Sequence, residues 1–156
     1  MLTTVQMQTL KAAILADPTQ ANNVAIQDYS AIADWLNAKL ADKGWNSAQP
    51  EANSDDAPDY STFDSIVPGK RESWGFFLAR SRDFSRNKVR KWVTDVWGNA
   101  TSGSNAEAIL QAATRSISRA EKLLAGNAAT TGTVTAYKLG WEGDISVYEI
   151  GGILSA

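Results

Sequence analysis

A chain of 156 residues, 44% of them hydrophobic and with a formal net charge of −2, suits one compact domain with a sizeable core and gives no bulk-charge argument for nucleic acid. It contains neither cysteine nor histidine, which excludes disulfides, thiolate chemistry and the commonest general base and metal ligand near neutral pH. The charge is uneven along the chain: residues 1–69 carry three bases against nine acids, 70–92 eight bases against two acids, and 93–156 four bases against six acids.

The opening "MLTTVQMQTLKAAILADP" has no basic leader followed by a long apolar core, and no run of about 18 apolar residues occurs anywhere, so neither a signal peptide nor a membrane span is expected. "TTVQ" is a capping-box pattern at Thr3, and Met7, Leu10 and Ile14 follow at helical spacing until Asp17-Pro18 stops the helix. A second amphipathic helix is predicted over 28–44, with Asp28 as cap, Tyr29, Ile32, Leu36 and Leu40 as its stripe and Gly44 as its stop. Residues 45–60 read as a long acidic surface loop, and "STFDSIVPG" as a short strand or turn. Trp74, Phe77 and Leu78 mark a short helix. Ser85 is placed as the cap of another, whose Val89, Trp92, Val93 and Val96 face inward and whose Arg86, Arg90 and Lys91 face outward.

From Ser104 one helix of about five turns is expected, because Ala106, Leu110, Ala113, Ile117, Ala120 and Leu124 form a seam that ends at Gly126. Arg115, Arg119 and Lys122 would line a second face of it. "TTGTVTAYKLGWEG" reads as a strand or half a hairpin, and "DISVYEIGGIL" as a short terminal helix. A lone strand needs a partner, within the chain near 62–67 or from another subunit. The fold class expected is therefore mainly α: a small helical bundle, 1–129, with a β-rich C-terminal assembly arm, 130–156. Its core is placed on Leu10, Ile14, Ile32, Leu36, Trp92, Val96, Leu110, Ile117 and Leu124.

No motif compels a catalytic or cofactor reading. "SRNK" at 85–88 matches the S-x-x-K nucleophile pattern without its companion elements, and "PGKRES" lacks the first glycine of a phosphate loop. Asp55, Asp56, Asp59 and Asp64 do not follow the spacing of a calcium loop. An enzyme is not expected, nor is a bound cofactor or metal. The mixture of cations and aromatics in "KRESWGFFLARSRDFSRNKVRKWVTDVWG" is read as aromatics inward and cations outward. The cations then meet phosphate backbone or an acidic protein surface, without base-specific readout.

The segments "LTTVQMQTLKAAILADP", "SAIADWLN", "RNKVRKWVTDVWG", "ATRSISRAEKLLA" and "GWEGDISVYEI" resemble a family of small proteins from the virion-morphogenesis genes of tailed bacteriophages and prophages, a likeness that spans nearly the whole chain. The acidic loop 45–60 departs from that pattern. In size and architecture the chain is similar to head–tail connector adaptors. The resemblance implies a homo-oligomeric, dodecameric ring in the neck of the virion, assembled in the bacterial cytoplasm. It also implies a portal protein and tail or neck proteins as partners, and genomic DNA nearby in the channel. Interface residues would then be Arg86, Arg90, Lys91, Arg115, Arg119 and Lys122. The arm would use Thr133, Val134, Tyr137, Leu139, Trp141, Ile145, Tyr148 and Ile150. A capsid decoration or other tail protein is the structural alternative, and a DNA-binding regulator, lacking a helix-turn-helix pattern, a weaker one.

Overall fold

The computed structural model describes all residues, Met1–Ala156. Helix α1, Thr4–Ala16, begins with the expected capping box: the Gln6 amide donates to Thr3 Oγ1 at 3.3 Å, and the Thr3 amide to Gln6 Oε1 at 2.9 Å. A 3₁₀ turn at Pro18–Gln20 leads to α2, Ala21–Ala25, and Asp28 then caps α3, Tyr29–Asn37, by accepting the Ala31 amide at 3.0 Å. Strand β1 is Lys39–Trp45, α4 is Glu51–Asp55, and a 3₁₀ segment runs Tyr60–Ser65. Helix α5, Pro68–Leu78, uses proline at its first position, where no N–H is needed. Next come α6, Asn87–Trp97, α7, Asn105–Ala112, β2, Thr114–Ser118, and α8, Arg119–Leu123. The chain closes with β3, Ala128–Thr131, β4, Val134–Tyr137, and α9, Val147–Ser155.

These elements make an α/β fold, which corrects the expected helical bundle with a short arm. A mixed four-stranded sheet has the order β2-β1-β4-β3: β3 and β4 pair antiparallel, with Thr131 opposite Val134, and β4 runs parallel to β1 with Tyr137 opposite Gly44. Two strands were missed, for one reason. The stripe Ile32-Leu36-Leu40 fits a helix at i, i+4, but Lys39, Ala41 and Lys43 are exposed in alternation, the period of a strand. Likewise the five-turn seam from Ser104 is interrupted by "TRSIS", where Ile117 and Ser118 are buried in β2. A second capping box, Ser118 with Glu121, then restarts a helix: the Ser118 amide donates to Glu121 Oε2 at 2.8 Å.

The C-terminal strand, whose partner was open between residues 62–67 and another subunit, pairs within the chain with β3 and β1, and residues 62–67 take no part in the sheet. Its hairpin loop is Gly132-Thr133. Gly132 has φ +60°, the conformation a type II′ turn reserves for glycine at its first loop position, and a Cβ there would lie 2.1 Å from the Ala100 carbonyl oxygen. Ser85 lies one residue early; the residue before α6 is Arg86.

The chain divides into two compact units. One comprises Met1–Asp42, Ser116–Gly126 and Leu139–Ala156; the other comprises Lys43–Arg115 and Asn127–Lys138. In the first, α1, α3, α8 and α9 pack around Leu10, Ile14, Ile32, Leu36, Ala120, Ile145, Ile150 and Ile153. In the second, α5, α6, α7 and β4 enclose Trp45, Trp74, Phe77, Phe84, Val93, Val96, Ile109 and Leu110. Of the nine expected core residues, Trp92 and Leu124 are only half-buried; the other seven are buried.

Candidate functional site

The basic, aromatic stretch lies in the second unit, where its aromatics do point inward. Trp74 stacks on Phe77 at 4.7 Å, and Trp92 meets Phe77 edge-on at 5.2 Å while its indole N–H donates to Ser73 Oγ at 2.6 Å. The arginines follow them. Arg82 donates from Nε to the Phe77 carbonyl at 2.6 Å and from Nη2 to the Phe76 carbonyl, and its head lies 5.1 Å and 4.9 Å from the ring centres of Phe77 and Trp92. It thereby satisfies carbonyls that the end of α5 leaves open. Burial draws the guanidinium pKa of Arg82 and Arg90 below the ordinary value.

Arg90, expected on the outer face of α6, is only 4% exposed. Its Nη1 donates to the carbonyls of Phe84 at 2.6 Å and Ser85 at 2.9 Å, and its Nε to Thr131 Oγ1 at 3.0 Å. The physical reason is register: Arg90 precedes Val93 by three positions and Trp97 by seven, so it belongs to the inward row of the helix. Arg86 and Lys91 are exposed as expected, but each holds an acid of its own segment, Asp83 at 2.9 Å and Asp95 at 2.6 Å. Arg71 holds Asp64 at 3.0 Å. Lys70, Arg80 and Lys88 are the cations of 70–92 that remain uncommitted and exposed.

Arg115, Arg119 and Lys122 do not share a helix face, because β2 holds Arg115 and α8 the other two. Arg119 and Lys122 line an open groove of about 730 Å³ in the first unit, with Asp17, Trp35, Leu40 and Leu123. Arg119 lies 4.4 Å from the Trp35 ring centre and donates to the Trp35 carbonyl; Lys122 holds Asp42 at 2.8 Å. Asp17 is held below the usual carboxylate range chiefly by the Thr19 hydroxyl and amide, with Arg119 adding to the effect. The groove is charge-balanced and offers no surplus cation to an anionic ligand.

The residues assigned to an arm are divided between the units. Val134 is buried and Tyr137 half-buried in β4, while the Thr133 hydroxyl donates to the Glu107 carboxylate. Ile145 and Ile150 are core residues, and Leu139 and Trp141 are half-buried. Asn37 grips Ile145 twice, donating to its carbonyl at 2.8 Å and accepting its amide at 2.7 Å. Only Tyr148, 96% exposed, points fully outward from α9.

The acids of 45–64 also have local work. Asp55 accepts the Tyr60 hydroxyl, Asp59 accepts the Ser61 amide at 2.9 Å, and Asp64 holds Arg71. No cluster of three acidic, histidine or cysteine side chains is placed to hold a metal ion.

The feature with most chemical meaning is one that sequence reasoning passed over. The exposed positions of α1 are Thr4, Val5, Gln8, Thr9, Ala12, Leu15 and Ala16, without a single charge, and Val5 and Leu15 are 70% and 58% exposed. The helix's one charged residue, Lys11, is occupied with the Ala156 carbonyl at 2.9 Å. A surface helix ordinarily carries charged and polar residues on its solvent face; here Thr4, Gln8 and Thr9 are the polar groups of that face, and none of them is charged. The signal was present in "TVQMQTLKAAILA", whose single charge could have been noticed. Compared with known protein families, curated proteins and solved structures, the chain has no match in any of the three.

Proposed function

We propose that the protein is a structural component of a tailed-bacteriophage virion, a head–tail connector that forms a ring between portal and tail. The observation that carries this reading is the uncharged outer face of α1, a 13-residue helix with Val5 and Leu15 in water. A neighbouring subunit that covers Val5 and Leu15 removes their apolar surface from water, which is stabilising. The same helix carries one of the two most specific elements of the phage resemblance, the other being the Arg-Ala-Glu-Lys helix end followed by a β segment and "EGDIS". The commitment of Arg82 and Arg90 to carbonyls and rings favours protein assembly over a DNA-binding regulator, since those heads are withdrawn from phosphate.

The test is assembly. Val5→Asp with Leu15→Asp should leave the monomer folded and abolish both ring formation and incorporation into particles. Normal particles containing the double variant would overturn the proposal. Location and copy number in intact particles separate a neck ring from a capsid decoration.

A further inference from the structure

We infer that the ring cluster of the second unit is a one-electron relay that drains oxidising equivalents from its tryptophans to Tyr60 at the surface. Tyr60 meets Trp97 edge-on with ring centres 5.6 Å apart, Trp97 meets Trp74 at 5.5 Å, and Phe77 bridges Trp74 to Trp92 at 4.7 Å and 5.2 Å. Electron exchange between rings in van der Waals contact is fast, so the direction of flow is set by which ring holds the electron vacancy best.

Two features point that direction toward Tyr60. One is electrostatic. The Arg82 guanidinium lies 4.9 Å from the Trp92 ring centre and 5.1 Å from that of Phe77, where it opposes a second positive charge, whereas the Asp55 carboxylate accepts the Tyr60 hydroxyl and favours one. The other is the proton. An oxidised indole or phenol becomes a strong acid and is stabilised once a base takes its proton. The Trp97 N–H is buried without a partner, the Trp92 N–H donates to the Ser73 hydroxyl at 2.6 Å, and the Trp74 N–H donates to the Tyr60 hydroxyl oxygen at 3.0 Å. A hydroxyl is a poor base. Of these four groups, Tyr60 is the one that donates to a carboxylate.

The step balances. A one-electron oxidant takes an electron from Trp97 or Trp74 and leaves an indole radical cation. Tyr60 returns an electron to the indole and passes its phenolic proton to Asp55, which leaves a neutral indole, a neutral phenoxyl radical and a protonated Asp55. Tyr60 is 38% exposed, so an enediol or thiol reductant in solution can return a hydrogen atom to the phenoxyl, and Asp55 then gives its proton to water. The relay lies within one compact unit and does not rest on the connector reading.

Pulse radiolysis of the full chain with the azidyl radical, a one-electron oxidant of indole, tests it. The expected trace is an indole-radical absorption that decays while phenoxyl absorption grows, at a rate independent of protein concentration. Tyr60→Phe should remove most of that growth, and Tyr148→Phe, at an exposed ring of the other unit, should leave it intact. Asp55→Asn keeps an acceptor for the Tyr60 hydroxyl but removes the base, and should slow the growth at least ~5-fold. Three results overturn the inference: a trace without phenoxyl growth, growth that Tyr60→Phe leaves unchanged, or a rate that Asp55→Asn leaves unchanged. If circular dichroism shows that Tyr60→Phe does not fold, the parent trace and the Asp55→Asn rate decide.

Discussion

The guanidinium of Arg90 lies 4.9 Å from the ring centre of Trp45, and both residues are buried. A cation so placed is stabilising only while its donors are occupied, here by two carbonyls and the Thr131 hydroxyl. Arg90→Leu leaves those carbonyls without their donor and should cost about 2–4 kcal/mol in urea unfolding. Arg86→Glu, at an exposed side chain paired only with Asp83, should change stability by less than about 1 kcal/mol. Equal effects would mean that Arg90 is not the clamp described.

Asn37 and Ile145 are 108 positions apart and joined by two hydrogen bonds. Asn37→Ala should cost about 1–3 kcal/mol. Hydrogen exchange of the Ile145 amide should speed up more than that of amides inside α1, and uniform acceleration would indicate a general loss of stability instead.

Tyr60 gives the alkaline limb of the stability curve a specific origin. Burial of its hydroxyl, and then its bond to Asp55, push the phenol up to about 12 from an ordinary value of 10.0. The folded state therefore holds this proton longer than the unfolded state. The contribution is fully present below pH 10, falls as pH rises toward 12, and does not return. Tyr60→Phe should flatten that decline, and an identical decline in the variant would assign it to other groups.

Gly132→Ala should destabilise by more than about 1 kcal/mol, since the position combines positive φ with a Cβ that would press on the Ala100 carbonyl. Ala at Gly69, which has φ outside that region and open space around it, should be tolerated within about 0.5 kcal/mol. Thermal unfolding of the two variants side by side makes the comparison.

Much of the first unit was legible in the chain. Thr3 and Asp28 announced two helix starts, Asp17-Pro18 a stop, and "DISVYEIGGIL" the closing helix, because caps and breakers act through atoms close in sequence. The sheet was hidden because its evidence is non-local. Leu40 continues a helical stripe as well as it occupies an inward strand position, and only pairing partners distant in sequence decide between them. One local clue was overlooked: "SRAE" at 118–121 repeats the cap pattern of "SNAE" at 104–107, and two starts 14 residues apart cannot belong to one uninterrupted helix. The arginines misled for a different reason. A long side chain rooted on an inward row can still carry charge, provided backbone carbonyls await it, and those carbonyls are invisible in a helical wheel.

The chain crosses between the two compact units four times, and the first unit is assembled from its opening, a middle piece and its final 139–156 segment. During synthesis that unit therefore has to wait for α9 to leave the ribosome before Ile145, Ile150 and Ile153 can close over Leu10 and Ile32. The second unit can finish sooner, once Lys138 has emerged. Cutting the gene after residue 129 would remove Val134 and Ala136 from one interior and three isoleucines from the other, so a stop there leaves neither unit with its full core.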